Sequence, residues 1–234
     1  MGTLPIARTR KGPARRPGRS NGERPHSRRL GREQRVDEIL IAAREVFCAK
    51  GYEGAAVSEI AARMGLVEAN VYKYFGSKRQ LLLKVLNNWY DGMFGDYATA
   101  LDGVIGTRAR VKLLVLRHLQ SVKQDPRLCR LMFREVRSEQ DYPGSSLHAQ
   151  NRRYTQLLVD VLKDGIAAGE LRRDASPALL RDLIYGGIEH HAWAYITAAA
   201  ENGGGRRRGS LNPERLADDI VDLVFAGAAT GSKK

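Results

Sequence analysis

The chain has 234 residues, 43% of them apolar, and is long enough to bury a full hydrophobic core. It has neither an apolar run of about 18 residues nor the apolar segment of a signal peptide, which argues against a membrane span and predicts a cytoplasmic protein. The two cysteines, Cys48 and Cys129, lack metal-like spacing. We therefore expect reduced, buried thiols, no metal site and no cofactor.

Most of the positive charge lies at the N-terminus. Of a net charge of +13, the segment before Glu33 supplies most, with ten basic residues against one acidic residue. Residues 1–32 are rich in Arg, Pro and Gly without hydrophobic periodicity, which predicts a disordered arm. Such an arm either adds phosphate or minor-groove contacts to a neighbouring DNA-binding domain or is only a solvated extension, and the sequence leaves both open.

Three helices are predicted next. Glu33–Lys50 carries apolar residues on one face and ends at Gly51. Val57–Phe75 has the pattern of two helices around a tight turn at Gly65, with Leu66 packed under the turn. Two helices joined by a short turn that contains Gly form a helix-turn-helix motif, whose second helix enters the major groove of DNA.

Residues around this motif make the pattern specific. Thirteen residues stand at the spacing of a known pattern: Ile39, Ala42, Ala43, Phe47, Gly51, Tyr52, Ile60, Ala61, Gly65, Tyr72, Phe75, Ser77 and Lys78. With them, Arg35–Leu82 resembles the DNA-binding domain of the tetracycline-repressor (TetR) family. The chain departs from that family at Ala55-Ala56 and at Val67, where the family commonly has hydroxyl residues that cap helices and contact phosphates.

The resemblance implies an all-α protein. Its parts would be a three-helix DNA-binding domain with the helix-turn-helix over residues 33–80 and a helical effector-binding and dimerisation domain over residues 81–230. The sequence agrees, since the pattern stays helical after residue 102. The predicted helices there are Thr107–Lys123, one capped by Asp125 and starting at Pro126, Ser146–Ala168, Pro177–Ala199, and Pro213–Ala228 capped by Asn212.

The predicted DNA-binding residues are Ser58, Glu68, Ala69, Asn70, Tyr72, Lys73, Tyr74 and Lys78. Asn70 is suited to read adenine through two hydrogen bonds. For Tyr72, Tyr74 and Lys78, the resemblance implies contacts to phosphates or sugars. Ser77 and Gln80 form a capping-box pattern that places Lys78 in the first turn of a fourth helix.

The resemblance also implies a homodimer, in which the last two helices pair with their symmetry mates as a four-helix bundle. Such a dimer would suit a palindromic operator. The side chains expected to fill the interface between the two subunits are Ile188, Trp193, Ile220, Val224 and Phe225. Small residues are expected to let the helices of this seam approach closely, namely Gly186, Gly187, Ala192, Ala194, Ala217 and Gly227.

A small effector is predicted to bind between the middle helices. The candidate lining residues are Trp89, Met93, Met132, Phe133, Tyr154, Tyr185, Glu189 and Trp193, with Glu135, Arg137 and His190 as further polar candidates. Each also has an ordinary explanation as a core, surface or dimer residue. His190 and His191 point about 100° apart on a helix, so they do not predict a metal site. His26, His118 and His148 are scattered and predict nothing.

These features together predict a dimeric transcriptional regulator, a repressor released from DNA by a small effector. Similar regulators of lipid metabolism make an acyl-CoA the first effector to test. The alternative is an architectural or nonspecific nucleic-acid-binding protein led by the basic arm, which would lose most of its affinity on deletion of residues 1–32. No phosphate loop, nucleophile motif or ligand-spaced His/Cys set supports an enzyme.

Overall fold

The computed structural model describes residues 25–201 and 210–228. Contacts within the chain define two units, Met1–Arg35 and Val36–Lys234. The described residues form nine α-helices and no β-strand, which confirms the predicted all-α class. The helices are α1 (Pro25–Gly54), α2 (Val57–Ala62), α3 (Glu68–Tyr72), α4 (Lys78–Ala100), α5 (Thr107–Gln124), α6 (Pro126–Glu135), α7 (Ser146–Ala167), α8 (Pro177–Glu201) and α9 (Pro213–Ala228). None of these helices is long and apolar enough to cross a bilayer.

The first helix is longer than predicted. It begins at Pro25, so its first eight residues belong to the segment that was predicted to be a disordered arm. Extending an existing helix fixes one residue for each added hydrogen bond, and proline is well accommodated at a first helical position. The rest of the predicted arm, residues 1–24, lies outside the described residues. The helical backbone is interrupted at Gly51, whose φ of 73° is left-handed, as the predicted stop requires.

The helix-turn-helix is held by a small core. Ile39 and Phe47 of α1, Ile60 of α2 and Val71 of α3 are fully buried. Between α2 and α3, Gly65 adopts a φ of 65°, and the Leu66 amide donates to the carbonyl of Ala61 at 2.9 Å. Isolated helices as short as α2 and α3 are unstable, so this shared core positions the recognition helix.

The remaining helices surround α5, which packs mainly against α7 and α9, while α4 packs on α7 and α6 on α8. Two ion pairs, Arg108–Asp222 and Lys112–Asp218, join α5 to α9. Asn212 caps α9 as predicted, its Oδ1 accepting from the Arg215 amide at 3.0 Å.

Asp125 does not cap α6, contrary to prediction. Its carboxylate instead pairs with Arg44 of α1 at 2.5 Å. The Asp125 carboxylate is therefore directed to a charged partner on another helix and not to the first amides of α6.

Candidate nucleic-acid interface and effector cavity

The short helix α3 presents a polar face to solvent. Val71 points into the core, whereas Tyr72 is 42% exposed. Of the predicted DNA-binding residues, the exposed ones are Ser58, Glu68, Ala69, Tyr72 and Lys73, and the partly buried ones are Asn70, Tyr74 and Lys78. Neither Ala56 before α2 nor Val67 before α3 makes a side-chain cap, so both helices begin without the hydroxyl caps common in the family.

Asn70 and Lys73 form a hydrogen-bonded pair on this face. The Lys73 ammonium donates to Asn70 Oδ1 at 2.9 Å. Reading adenine requires that same oxygen as an acceptor together with the amide nitrogen as a donor. An amide oxygen has two lone pairs, so the contact with Lys73 leaves Asn70 Oδ1 able to accept a second hydrogen bond.

The start of α4 is fixed by side-chain caps. Ser77 Oγ accepts from the Gln80 amide at 3.1 Å, and Gln80 Oε1 accepts from the Gly76 amide at 3.0 Å, a capping box shifted by one residue. Lys78 donates to the carbonyl of Glu53 at 3.3 Å and lies 4.6 Å from the centre of the Tyr52 ring. These contacts hold Lys78 in place before any DNA arrives.

Between α4, α5, α6, α7 and α8 lies a cavity of about 500 Å³, a size typical of small-molecule sites. It is lined by seven of the eight predicted residues, namely Trp89, Met93, Met132, Phe133, Tyr154, Tyr185 and Glu189. Trp193 does not line it. It lies one turn beyond Glu189 on α8, is 38% exposed, and packs its ring 6.4 Å from that of Phe133.

Several polar residues of the cavity wall were not predicted. They are His118, Ser121, His148, Asn151, Arg152, Arg181 and Asp182. A signal existed for His118, because it continues the apolar face of α5 at helical spacing from Val115 and Val122. A polar residue on an inward face is either satisfied in the core or available to a ligand.

Four aromatic side chains from three helices contact the ring of Tyr154 on α7, namely Tyr90 and Tyr97 of α4, His118 of α5 and Tyr185 of α8. His118 Nδ1 lies 2.6 Å from the Tyr154 hydroxyl, and the His118 ring lies 4.9 Å from that of Tyr185. Tyr97 joins them, with its hydroxyl 2.9 Å from Ser121 Oγ. Burial lowers the pKa of His118 to about 4, and it raises the pKa of Tyr154 well above its ordinary value. The imidazole and the phenol are therefore both neutral at neutral pH.

The Cys129 thiol also borders this cavity. Burial raises its pKa to about 12, and the pKa of Cys48 is raised by burial to about 11. Both thiols thus stay protonated and unreactive at neutral pH. Among the described residues, no group of three or more His, Cys, Asp or Glu side chains is placed to hold a metal ion.

Charged residues border the cavity where it opens. Arg137 pairs with Glu189 at 2.7 Å and Arg181 with Asp182 at 2.8 Å. Arg152 is exposed, and within the described part of the chain it has no ion-pair partner. The opening therefore offers an uncompensated guanidinium, which suits a phosphate or carboxylate.

Helix α6 connects the cavity to the DNA-binding helices. Its middle supplies Cys129, Met132 and Phe133 to the cavity wall. Asp125, just before α6, binds Arg44 of α1, and Glu135 at its end accepts from Arg79 of α4 through its carbonyl oxygen. Arg79 also pairs with Asp141 at 3.0 Å. Helix α6 is thus attached near its start to α1 and at its end to the first turn of α4.

An apolar groove runs between α8 and α9. Its exposed walls include Leu179, Leu183 and Leu223, of which Leu223 is 76% exposed. Gly187 and Gly227 also line the groove. Two residues predicted to fill the dimer seam, Ile188 and Phe225, are instead buried within the core of this chain, so the prediction is wrong for them. Ala192 and Ala217 are likewise fully buried there. Apolar residues on several faces of these helices concealed which face points inward.

Comparison with known proteins places these features in a family. Residues 39–85 match the bacterial regulatory proteins of the tetR family, and residues 105–194 match the tetracyclin repressor-like C-terminal domain. The chain belongs to the TetR family. This TetR-family protein is thus a DNA-binding transcriptional regulator, as predicted from the sequence, and the family is one of regulators rather than enzymes.

Its relatives include both repressors and activators. The repressor KstR2 of Mycolicibacterium smegmatis is 25% identical over 194 residues, covering 82% of this chain and 90% of that protein. The activator FasR of the same organism is 33% identical over 140 residues, covering 59% of this chain and 62% of its own length. The crystal structure of FadR from Bacillus subtilis in complex with stearoyl-CoA shares the fold, with a TM-score of 0.69 at 20% identity, over 82% of this chain and 98% of that one.

Proposed function

We propose that this TetR-family regulator is a repressor that binds a palindromic operator as a homodimer and leaves it when an acyl-CoA occupies the cavity. Repression is favoured over activation because the likeness to the repressor KstR2 covers 82% of this chain, whereas the likeness to the activator FasR covers 59%. The rival class, a nonspecific binder led by a basic arm, does not explain a built cavity behind the DNA-binding helices.

The exposed leucines of the groove between α8 and α9 support the dimer. Leu179, Leu183 and Leu223 are each more than half exposed. Large apolar patches on a soluble protein usually mark interaction surfaces, and a two-fold axis there would place two copies of α3 on one duplex.

The cavity and its opening support an acyl-CoA. Part of the cavity wall is apolar and includes Trp89, Met93 and Met132, which suit an acyl group. The exposed Arg152 on the same wall suits a phosphate of the coenzyme. The name of one relative also points to acyl groups: the fatty acid metabolism regulator protein of Bacillus subtilis is 24% identical to this chain over 163 residues.

The single observation that carries the proposal is the attachment of α6 at both ends, to Arg44 and Arg79. A ligand that packs against Met132 and Phe133 stabilises one position of α6. If that position holds the DNA-binding helices at a spacing unsuited to the operator, the ligand binds the DNA-free state more tightly. Operator release then follows by linkage.

The test of the ligand is an Arg152→Gln variant titrated with decanoyl-CoA by calorimetry. Loss of a phosphate contact is expected to weaken decanoyl-CoA binding about tenfold and to reduce its salt dependence, because a charge-assisted hydrogen bond is worth about 1.5–3 kcal/mol. The matched control is Arg173→Gln, an exposed arginine outside the cavity. If both variants bind decanoyl-CoA as tightly as wild type does, Arg152 does not contact the ligand. If wild type does not bind decanoyl-CoA at all, the proposal of an acyl-CoA effector is wrong.

The DNA contacts divide into positioning and reading. Lys78→Ala is expected to weaken binding to all duplexes and to lower the slope of log affinity against log salt by about 0.9, the value for one lost phosphate contact. Asn70→Ala is expected to relax the preference at one base pair by about 1–3 kcal/mol. Binding of both variants to an operator and to its single-base substitutions across a salt series measures both effects. Identical losses on every duplex would contradict this division.

A further inference from the structure

The cavity wall contains a hydrogen-bond donor that a plain hydrocarbon chain leaves without a partner. His118 lines the cavity on α5, is surrounded by protein on its other sides, and keeps part of its surface open to the cavity. Its Nδ1 is engaged by the Tyr154 hydroxyl at 2.6 Å. For Nε2, no partner occurs among the described residues, so that edge of the ring remains for a ligand.

The hydroxyls around His118 set its tautomer. Ser121 Oγ donates to the carbonyl of Arg117 at 3.1 Å, which leaves it to accept the proton of the Tyr97 hydroxyl at 2.9 Å. For the contact between Tyr154 and His118 Nδ1, we assign the Tyr154 hydroxyl as the donor, because a phenol is a better donor than a neutral imidazole. The proton of the ring consequently sits on Nε2. The low pKa of His118, a result of burial, keeps the ring neutral, so it presents one N–H and no charge.

Tyr185 strengthens the polar character of this wall. Its hydroxyl is buried and lacks a partner of good hydrogen-bond geometry, although Tyr154 is close enough to influence its ionisation. Its ring packs 5.7 Å from that of Tyr154. An interior built only for hydrocarbon would carry apolar side chains at these positions, since each unpaired buried polar group destabilises the complex.

We infer that the effector carries a keto or hydroxyl oxygen on its buried part and that this oxygen accepts a hydrogen bond from His118 Nε2. The inference rests on the proposed acyl-CoA ligand and narrows it to oxygenated acyl groups. A hydrocarbon chain in the same place would bury the N–H unpaired. The oxygenated ligand therefore binds about tenfold to a hundredfold more tightly than its unoxygenated counterpart.

The experiment compares decanoyl-CoA with a set of oxodecanoyl-CoA isomers whose ketone lies at successive positions from the middle of the chain to its end. Dissociation constants are measured by calorimetry on the full-length protein. At least one isomer is expected to bind about tenfold more tightly than decanoyl-CoA. The preference should vanish in His118→Met, which fills the space without a donor, and persist in His118→Gln, whose amide nitrogen occupies the position of Nε2.

Thermal unfolding of each variant establishes that it is folded. The variant Tyr154→Phe tests the role of His118 a second time without changing His118 itself. That variant keeps every ring and removes only the hydroxyl that fixes the tautomer, so it should show a reduced preference. If no isomer binds more tightly than decanoyl-CoA, or if His118→Met keeps the preference, this inference is overturned while the acyl-CoA proposal stands. If no thioester binds at all, the acyl-CoA proposal itself fails and the inference fails with it.

Discussion

Leu223→Glu is expected to convert the regulator into a folded monomer that binds its operator about a hundredfold more weakly. Leu223 is 76% exposed in the groove between α8 and α9, so a carboxylate there costs the isolated protomer little. In a dimer it would be buried without a partner, which strongly disfavours association. A monomer has only one DNA-binding domain, so it loses the gain in affinity that a dimer obtains by binding two half-sites of the operator at once.

The measurement pairs solution mass with operator affinity. The control is Ile105→Glu, the same kind of substitution at a residue that is 91% exposed and does not line the groove. It should leave both the mass and the affinity unchanged. A Leu223→Glu protein that remains dimeric would place the interface elsewhere.

The second large effect is expected from the double variant Arg44→Gln/Arg79→Gln. It should bind decanoyl-CoA as wild type does, since neither arginine lines the main cavity. Its operator affinity, however, should respond to decanoyl-CoA about tenfold less, because the two arginine contacts that join α6 to α1 and to α4 are weakened. Coupling between two sites is typically worth about 1–3 kcal/mol, which allows a change of this size.

The quantity to compare is the ratio of operator dissociation constants with and without saturating decanoyl-CoA. This ratio separates coupling from any loss of operator affinity in the variant itself. Arg63→Gln is the control, because Arg63 pairs with Glu45 and Glu59 inside the DNA-binding domain and does not reach α6. An unchanged ratio in the double variant would show that α6 does not transmit the signal.

The sequence predicted what depends on short-range spacing. The helix-turn-helix could be recognised because Ile60, Gly65 and Val71 stand at the spacing of two helices and a turn, and local geometry largely determines such a motif. Capping residues and prolines in the sequence also indicated most helix starts after residue 102, for example Pro177 and Asn212 before Pro213. These residues act within one turn of the helix, so their effect can be read from the local sequence.

Contacts between distant helices could not be predicted in this way. Asp125 had the position of a helix cap, and nothing local indicates that Arg44, 81 residues away in sequence, takes its carboxylate. The position of His118 on the apolar face of α5 indicated that it points inward, but its partner Tyr154 is on another helix and could not be predicted. Likewise, Ile188, Phe225 and Leu223 are all apolar, and only packing against α5, α6 and α7 separates buried faces from exposed ones.

Occupation of the cavity is proposed to control DNA binding, and titration of the protein–operator complex with acyl-CoAs tests this control directly. The operator would be selected by wild-type protein from random duplexes and followed by fluorescence anisotropy. Saturating decanoyl-CoA or an oxodecanoyl-CoA is expected to raise the operator dissociation constant about tenfold or more, whereas coenzyme A without an acyl group leaves it unchanged. An acyl-CoA that binds the protein measurably yet leaves the operator dissociation constant unaltered would contradict the account.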